Sequence, residues 1–216
     1  MRAGMHFGRK KTVFNPAMKR YVFTVRDSIC IIDLLKTQVQ LNNSIEFLKK
    51  TINNGGLVLF VALTKQSSEK VKELAGLLNM PYVVDRWLGG TLTNFRVISD
   101  RVKKLEEMEQ AQKGGELEKY TKKERTVFAK ELEKMQTKFS GLRKLTRVPD
   151  AIFVSSLKES ELPVHEATIM GVKIVGIANT DSDPDAVNYV IPANDRSKKS
   201  VDLIIEAIKE QVVSGK

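Results

Sequence analysis

From residue 29 onward, short apolar runs alternate with segments whose apolar residues return every three or four positions. The run 57–62 is apolar throughout, which is typical of a parallel strand covered on both faces. The apolar residues of 41–52 instead recur at the spacing of one helix face. Strands that alternate with helices predict a parallel sheet with right-handed crossovers, and therefore a three-layer α/β domain. The predicted strands are 29–32, 57–62, 81–84, 151–154, 173–178 and 189–192, and the predicted helices are 41–52, 67–79, 163–170 and 200–213.

A charged segment at 94–145 interrupts this alternation, and its apolar residues keep a helical period. A Gly-Gly pair breaks the segment, and Thr121 with Glu124 has the spacing of a capping box that opens a second helix. The apolar residues of 128–142 then form a heptad seam. Two helices around the break predict an inserted antiparallel helical hairpin, a coiled-coil arm. The predicted division is a basic N-terminal arm at 1–26, an α/β globular domain at 27–93 and 146–216, and the hairpin insertion at 94–145.

Charge is distributed unevenly along the chain, whose net charge is +10. Residues 1–26 contain seven basic residues (Lys or Arg) and no acidic ones (Asp or Glu), and residues 27–95 contain seven basic and six acidic residues. Residues 96–149 contain fifteen basic and nine acidic residues, and residues 150–216 contain seven basic and eleven acidic residues. The basic charge therefore lies in the N-terminal arm and in the hairpin segment. Polyanions attract such surfaces through counterion release. A mixed-charge helix is also typical of a solvated surface, but an acid-free arm favours a polyanionic partner.

Composition and motifs disfavour several classes of protein. No apolar run approaches the roughly 18 residues that a membrane helix needs, and no apolar stretch follows the N-terminal charges as it does in a secretory signal. The single cysteine, Cys30, predicts a buried thiol in a reducing compartment. The sequence has no phosphate-binding loop, dinucleotide fingerprint or nucleophile elbow, and neither His6 nor His165 belongs to a recognisable triad or metal-ligand set.

One loop offers an alternative, enzymatic interpretation. Asp181, Asp183 and Asp185 stand at every second position after a predicted strand and could hold a hard cation through oxygen ligands. The glycine and glutamate of an EF-hand are missing, and Asp, Asn and Pro are typical of a turn. The turn is the favoured interpretation. The alternative is an α/β enzyme that acts on a phosphorylated or nucleotide substrate with a divalent ion at this loop.

The decapeptide at 86–95, Arg-Trp-Leu-Gly-Gly-Thr-Leu-Thr-Asn-Phe, combines the sole tryptophan with paired glycines directly before the first hairpin helix. Paired glycines allow a close approach of the backbone. Thr91, Thr93 or Asn94 can cap the helix, whose first N–H groups then point outward towards a phosphate oxygen. The alternative is a hinge between domain and hairpin with Trp87 in the core. Composition favours neither interpretation over the other.

The same decapeptide resembles the signature of small-subunit ribosomal protein S2 in its bacterial and organellar form. Ordered matches extend along the chain. Segments 3–8 and 15–18 resemble the family's opening, 29–37 its first strand and turn, and 163–167, 182–185 and 191–195 its closing segments. There are departures from the pattern: residues 9–11 are Arg-Lys-Lys where the family usually has His-Gln-Thr, and 179–181 are Asn-Thr-Asp where Asp-Thr-Asn is common. The second departure puts an ion site carried over to that loop in doubt.

The resemblance implies a flavodoxin-like α/β domain with a coiled-coil arm that binds small-subunit rRNA, supports subunit assembly and helps to dock ribosomal protein S1. It implies no catalytic residue, cofactor, metal, membrane or small-molecule substrate. The implied partners are rRNA and neighbouring small-subunit proteins, in the cytoplasm or on an organellar ribosome. Drawn from the basic segments and the resembling motifs, the candidate RNA-binding residues are Arg2, His6, Arg9, Lys10, Lys11, Asn15, Lys19, Arg20, Arg86, Thr91, Thr93, Asn94, Arg96, Arg101, Lys103, Lys104, Lys122 and Lys123.

Three aromatic residues, Phe7, Phe14 and Tyr21, interleave with the N-terminal bases. Their rings could stack on unpaired nucleobases, or they could pack against the domain. The hairpin also admits a second role, because it could serve chiefly as a protein-docking arm.

Overall fold

The computed structural model describes residues 3–114 and 121–213, so Arg2 lies outside the described residues. Within these ranges, the chain alternates between strands and helices as its apolar pattern predicts. The strands are β1 Phe7–Lys10, β2 Val22–Arg26, β3 Ile29–Ile32, β4 Val58–Val61, β5 Tyr82–Val83, β6 Ala151–Val154, β7 Lys173–Ala178 and β8 Tyr189–Pro192. The helices are α1 Leu34–Asn53, α2 Lys65–Leu78, α3 Phe95–Lys113, α4 Lys122–Phe139, α5 Glu161–Ile169 and α6 Lys198–Val213.

A parallel sheet forms the centre of the fold. Its strand order is β5-β4-β6-β7-β8, and every neighbouring pair is parallel. Numbered among themselves, these strands follow the order 2-1-3-4-5 of flavodoxin-like sheets. The order reverses between β4 and β6, which is the topological switch point. The predicted α/β class and its parallel sheet are confirmed.

Helices cover both faces of this sheet. On one face, Phe60 and Phe153 pack against α1, α2 and α6. On the other face, Leu59 and Ile152 pack against α3, α4 and α5. The strands β4 and β6 are buried along their whole length, because successive side chains point to opposite faces and both faces are covered. The continuous apolar runs in the sequence reflect this three-layer arrangement.

Local sequence signals set the ends of several helices. At the start of α1, the Asp33 carboxylate accepts a hydrogen bond from Leu35 N at 3.0 Å. At the end of α2, Asn79 adopts the left-handed conformation with a φ of 58°. The predicted capping box at the start of α4 is confirmed, since the Thr121 hydroxyl accepts from Glu124 N and the Glu124 carboxylate accepts from Thr121 N.

The strand β3 differs from the prediction. The alternating pattern assigned it to the parallel sheet, but it lies at the centre of a separate antiparallel sheet of order β1-β3-β2. Its two partner strands come from the first 26 residues. Asp27 and Ser28 connect β2 to β3 and have φ values of 48° and 65°, as in a two-residue hairpin turn. This short closure costs little conformational entropy, so it competes well with pairing into the distant parallel sheet.

Apolar residues of α3 and α4 share one core cluster with side chains of the parallel sheet, and the two helices contact each other. Val102 and Leu105 of α3 are buried there, as are Leu132 and Phe139 of α4. The heptad seam in the sequence therefore corresponds to a buried face of α4. A 3-10 turn at Ser140–Leu142 follows α4 and leads the chain back towards β6.

Polar side chains also join α3 to α4 and to the turn that follows. Lys104 Nζ lies 3.5 Å from Glu131 Oε1. Glu109 Oε1 accepts hydrogen bonds from Gln136 Nε2 at 2.8 Å and from Arg143 Nη2 at 2.7 Å. The connection between the two helices falls on residues 115–120, outside the described residues. The antiparallel hairpin therefore stays a prediction.

Candidate nucleic-acid interface

The N-terminal segment lies across the carboxyl edge of the parallel sheet. Arg9 N donates to Thr180 Oγ1 at 2.7 Å, and Asn15 N donates to Thr180 O at 2.9 Å. Thr180 is the second residue after β7, which ends at Ala178. Gly8 approaches the same threonine so closely that a Cβ at position 8 would lie 2.6 Å from its side chain. The N-terminal segment therefore covers the edge at which open parallel sheets bind ligands.

Side chains fill the crevice at the topological switch point. Ser155 directly follows β6, and its hydroxyl lies 2.8 Å from Ser67 Oγ, which in turn lies 2.8 Å from Thr64 Oγ1. Both Ser67 and Ser155 are fully buried. Three hydroxyl groups thus hydrogen-bond to one another at the position where flavodoxin-like proteins hold a cofactor. At the switch point, the residues that follow β4 and β6 therefore contact each other.

The N-terminal cations differ in how far neighbouring carboxylates neutralise them. Arg9 Nε lies 3.0 Å from Asp181 Oδ2, and the two side chains are only 24% and 11% exposed. Arg20 pairs with Asp185 and also lies over the ring of Tyr21. Among the other predicted contacts, His6 and Asn15 are half-buried, and Lys10, Lys11 and Lys19 are exposed. The three lysines therefore carry the most accessible positive charge among the predicted contacts of this segment.

The acidic loop that suggested a metal site makes other contacts. Asp181 and Asp185 face arginines, and Asp183 Oδ1 accepts a hydrogen bond from Asp185 N at 3.0 Å. Asp183 thereby begins a 3-10 turn, which agrees with the favoured turn interpretation. In residues 3–114 and 121–213, no cluster of three or more His, Cys, Asp or Glu side chains is arranged to hold a metal ion. Over the same ranges, every helix is too short or too polar to cross a membrane.

The loop before α3 folds around one buried carboxylate, that of Glu166 in α5. Glu166 Oε1 accepts hydrogen bonds from Trp87 Nε1 at 2.9 Å and from Gly90 N at 2.8 Å. Glu166 Oε2 accepts from Leu92 N at 2.9 Å and from Thr93 N at 3.3 Å. Both oxygens are therefore satisfied although Glu166 is only 3% exposed. We call Glu166 and these four donors the carboxylate hub.

The carboxylate hub favours the ionised form of Glu166. Burial raises the pKa of this carboxyl group, but the hydrogen bonds from Trp87 and from the backbone of Leu92, Gly90 and Thr93 outweigh that effect and hold the pKa below its usual range. Gly90 contributes through its backbone conformation, because its φ of 87° would strain any residue with a side chain. Three backbone N–H groups that a phosphate could have used are thus bound to Glu166.

The predicted site residues of this loop have different surroundings. Trp87 is buried, as the core interpretation predicted. Thr91 is also fully buried, and its hydroxyl donates to Leu88 O at 2.6 Å. Asn94 occupies the N-cap position of α3, but its side chain accepts no capping hydrogen bond, so the expected side-chain cap is wrong for this residue. The exposed members of the predicted set in this region are Arg86, Thr93, Asn94 and Arg96.

The predicted cations on α3 and α4 lie on the exposed sides of the helices. These residues are Arg101, Lys103, Lys104, Lys122 and Lys123. Lys122 and Lys123 occupy the first turn of α4, where the helix dipole disfavours positive charge. Helix stability therefore does not account for these two lysines.

Two residues of the candidate interface, Glu166 and Arg26, were not among the predicted site residues. Glu166 was noted only within a family-like segment, although a carboxylate among the apolar residues of a short helix is a signal for a buried acceptor. The identity of its donors could not be read from the sequence, because Trp87 lies 79 positions away. Arg26 had no predicted role; it lies exposed at the end of β2, where its Nε is 3.8 Å from Asp27 Oδ2.

Comparisons with known proteins find relatives along the whole chain. The family model described as Ribosomal protein S2 matches residues 1–215. A protein of Fusobacterium nucleatum subsp. nucleatum named Small ribosomal subunit protein uS2 is 43% identical over 216 residues, which cover 100% of this chain and 87% of the relative. Proteins of the same name from Micrococcus luteus and Thermus thermophilus are each 41% identical, and the alignments cover 99% and 100% of this chain and 75% and 84% of the relatives.

Proposed function

This chain belongs to the ribosomal protein S2 family, and we propose that it binds small-subunit rRNA through two basic surfaces and supports subunit assembly and translation. It is a structural ribosomal protein and not an enzyme. The observation that carries the proposal is the accessibility of the cations in the two segments where positive charge is concentrated.

The first surface consists of Lys10, Lys11 and Lys19, and we call it the N-terminal basic surface. Residues 3–26 contain no Asp or Glu, so these lysines have no acidic neighbours within their own segment. His6 and Asn15 lie in the same segment and can add hydrogen bonds to the RNA backbone. Arg2 extends the segment in sequence. Arg9 and Arg20 are assigned a smaller share of the binding, because each is already paired with a carboxylate.

The second surface is the helical basic surface. It consists of Arg96, Arg101, Lys103, Lys104, Lys122 and Lys123, joined by Arg86, Thr93 and Asn94 from the preceding loop. Thr91 is left out of this set, because its hydroxyl is fully buried and bound to Leu88 O. Thr93 is exposed and is kept, and its hydroxyl donates only a long hydrogen bond to Glu166 Oε2 at 3.4 Å. The carboxylate hub supports the surface indirectly by fixing the backbone from which α3 begins.

We further propose that α3 and α4 form an antiparallel arm inserted between the two parts of the α/β domain, residues 27–93 and 146–216. The ion pair between Lys104 and Glu131 and the hydrogen bonds to Glu109 support an association of the two helices, and the antiparallel direction rests on the Gly-Gly break and the capping box in the sequence. The arm carries the helical basic surface. It also offers a docking site for a neighbouring protein such as ribosomal protein S1, and the protein then works within the small subunit of a cytoplasmic or organellar ribosome.

A salt series tests the rRNA assignment directly. Each phosphate contact contributes about 0.7 to 0.9 to the slope of log affinity against log salt concentration. Replacing Lys10, Lys11 and Lys19 by Ala is expected to make the slope shallower by about 2 to 3 with small-subunit rRNA as the probe. The matched control replaces Lys173, Lys198 and Lys199, three exposed lysines of the acidic third of the chain, and it is expected to leave the slope unchanged.

Equal losses in the two triple variants would show that only net charge matters and would remove the N-terminal basic surface from the proposal. Co-sedimentation of the tagged chain with small subunits across the same salt series provides the second measurement. Recovery of the chain only as free protein at low salt would overturn the ribosomal role itself. Deletion of 97–143 with rRNA affinity intact would assign the arm to protein docking instead.

A further inference from the structure

The outer face of the N-terminal antiparallel sheet presents an apolar stripe beside two cations. In the register of this sheet, Phe7 lies opposite Ile31, and both Lys10 and Arg26 are partners of Ile29. Residues directly opposite each other in an antiparallel pair have neighbouring side chains on one face. We call Phe7, Ile29 and Ile31, together with Lys10 and Arg26, the outer sheet face.

Two observations show that this face points away from the domain. The alternate residues of β3, Cys30 and Ile32, are only 1% and 2% exposed, so they face the interior. Gly8, the neighbour of Phe7, faces inward, because a Cβ at this position would meet Thr180 at 2.6 Å. Phe7 therefore stands on the opposite side of the strand, and 47% of it is exposed.

Charge complementarity indicates the partner of this face. Residues 3–26 contain six Lys or Arg and no Asp or Glu, and Asp27, the next residue, forms only an exposed pair with Arg26 at 3.8 Å, so the surroundings of the stripe attract anions. An exposed aromatic ring beside cations fits an anion that also carries flat apolar rings. Unpaired RNA has both properties, since its bases stack on aromatic side chains while its phosphates contact Lys and Arg.

We propose that the outer sheet face binds an unpaired stretch of small-subunit rRNA, with one base stacked on Phe7 and backbone phosphates on Lys10 and Arg26. This inference rests on the proposed rRNA binding and adds a contact to a base. The ring of Phe7 contacts that of His6, with the two centroids 4.1 Å apart, and this contact restricts its rotation. A ring that is held before binding loses little side-chain entropy when a base stacks on it.

The test uses the full chain with a new fluorophore at the proposed stacking position. The Phe7→Trp variant is titrated with a short oligouridylate, and its emission is expected to be quenched to saturation as the base stacks. The native tryptophan, Trp87, is only 5% exposed and supplies a constant background. The matched control is Val39→Trp on α1, whose residue is 57% exposed and lies off this face, and its emission is expected to stay constant.

A second pair of variants measures affinity without a new tryptophan. Phe7→Ala is expected to weaken oligouridylate binding about 5- to 100-fold, and Phe7→Tyr is expected to retain it, because stacking on an aromatic ring is lost only in the first. The salt slope with small-subunit rRNA is expected to be the same in both variants and in the wild type, since no charge changes.

The outcomes separate this inference from the function on which it rests. If the Phe7 variants leave oligouridylate affinity unchanged while rRNA binding and its salt slope persist, the stacking face is wrong and the basic surfaces remain. If an acidic helical peptide quenches Phe7→Trp and oligouridylate does not, the face binds protein and the inference is overturned. If the wild-type chain fails to bind small-subunit rRNA at low salt, the proposed function is overturned with it.

Discussion

The first 26 residues and the last third of the chain carry opposite charges and use them in different ways. Exposed lysines predominate in the first region, and acidic side chains are missing from it. Residues 150–216 hold eleven acidic against seven basic side chains. Several of these carboxylates are acceptors inside the fold: Asp195 accepts hydrogen bonds from Ser156 Oγ at 2.6 Å and Asn179 Nδ2 at 2.9 Å, and Glu166 organises the carboxylate hub.

This difference shows that a charge count along the sequence does not by itself locate an interaction surface. The positive excess is exposed, whereas part of the negative excess is buried and bonded to the protein's own N–H and O–H groups. A buried acceptor is costly to remove, because its donors lose their partners. An exposed lysine contributes little to stability. Stability and RNA affinity are therefore expected to respond to substitutions in different regions.

The largest expected effect is the loss of Glu166 from the carboxylate hub. Glu166→Ala leaves Trp87 Nε1 and the backbone N–H groups of Gly90 and Leu92 without their acceptor. Since each unpaired buried donor costs about 1 to 3 kcal/mol, the free energy of unfolding is expected to fall by about 3 kcal/mol or more. Urea denaturation followed by the fluorescence of Trp87 measures this change.

The matched control for this loss is Glu161→Ala on the same helix. Glu161 is exposed, and its partner Lys158 is exposed as well. The control is expected to unfold at nearly the wild-type urea concentration. Similar midpoints for the two variants would contradict a structural role for the hub and would weaken the contrast between the two regions.

The next effect concerns the seam where the two regions meet. In Gly8→Ala, the new Cβ would lie 2.6 Å from the Thr180 side chain and 2.9 Å from Cys30 O, and the backbone oxygen cannot move aside freely. Overpacking of this kind is expected to lower the free energy of unfolding by about 1 to 3 kcal/mol. Thermal denaturation measures the loss. Gly76→Ala in α2 is the control, because nothing lies within 4 Å of the new Cβ. This substitution is expected to raise the free energy of unfolding by about 0.5 to 1 kcal/mol.

The sequence predicts the parallel sheet and its helices because their signals are local and repetitive. The continuous apolar run at β4 and the capping box of Thr121 and Glu124 each identify an element without knowledge of its neighbours. The place of β3 was predicted wrongly, because a four-residue apolar strand fits either sheet equally well. Its partners depend on the hairpin turn at Asp27 and Ser28, whose positive φ values ordinary turn signals do not specify.

The sequence predicts the charge of the candidate site, but it does not predict which contacts the site residues make within the protein. Exposed lysines could be assigned from composition because they need no partner within the protein. The burial of Thr91 and the pairing of Arg9 with Asp181 depend on side chains that are distant in sequence and meet only in the fold. Glu166 belongs to the same group, since its donors lie on a different segment.

The pH dependence of stability offers a smaller test of the hub. The hydrogen bonds that outweigh burial hold the pKa of Glu166 below its usual range. A carboxyl group with a lowered pKa in the folded state contributes stability that is fully present above the pKa of the unfolded chain and is lost as the pH falls through the folded value. The difference in unfolding free energy between wild type and Glu166→Gln is therefore expected to be constant near neutral pH and to shrink in acid.

Urea denaturation at a series of pH values measures this difference. Asp150 also has a lowered pKa, because Arg147 and the backbone of Leu57 hydrogen-bond to it, so the acid sensitivity of the wild type alone does not isolate the hub. The difference in unfolding free energy between wild type and Asp150→Asn, measured at the same pH values, gives the contribution of Asp150 for comparison. A difference for Glu166→Gln that grows towards acid pH would mean that burial dominates and that the protonated form is preferred in the fold.

The smallest expected effect concerns the ion pairs that join α3 to α4 and to Arg143, which follows the 3-10 turn after α4. Arg143 hydrogen-bonds to Glu109 at 2.7 Å, and this bond, helped by Gln136, lowers the pKa of Glu109. The side chains of Arg143 and Glu109 are 36% and 18% exposed, so their coupling is expected at about 0.5 to 1 kcal/mol in a double-mutant cycle. The more exposed pair of Lys104 and Glu131, at 49% and 54%, is expected to couple more weakly.

These two couplings test whether α3 is fixed to α4 and to the turn that follows α4 before any RNA binds. If Arg143 and Glu109 couple measurably in the free chain, the Glu109 carboxylate has a structural role like that of the buried acceptors in 150–216, although Glu109 lies within a basic segment. The lysines around it then project from a preorganised surface, and binding costs little ordering entropy. A coupling of zero for both pairs, measured at low salt where screening is weakest, would contradict this preorganisation.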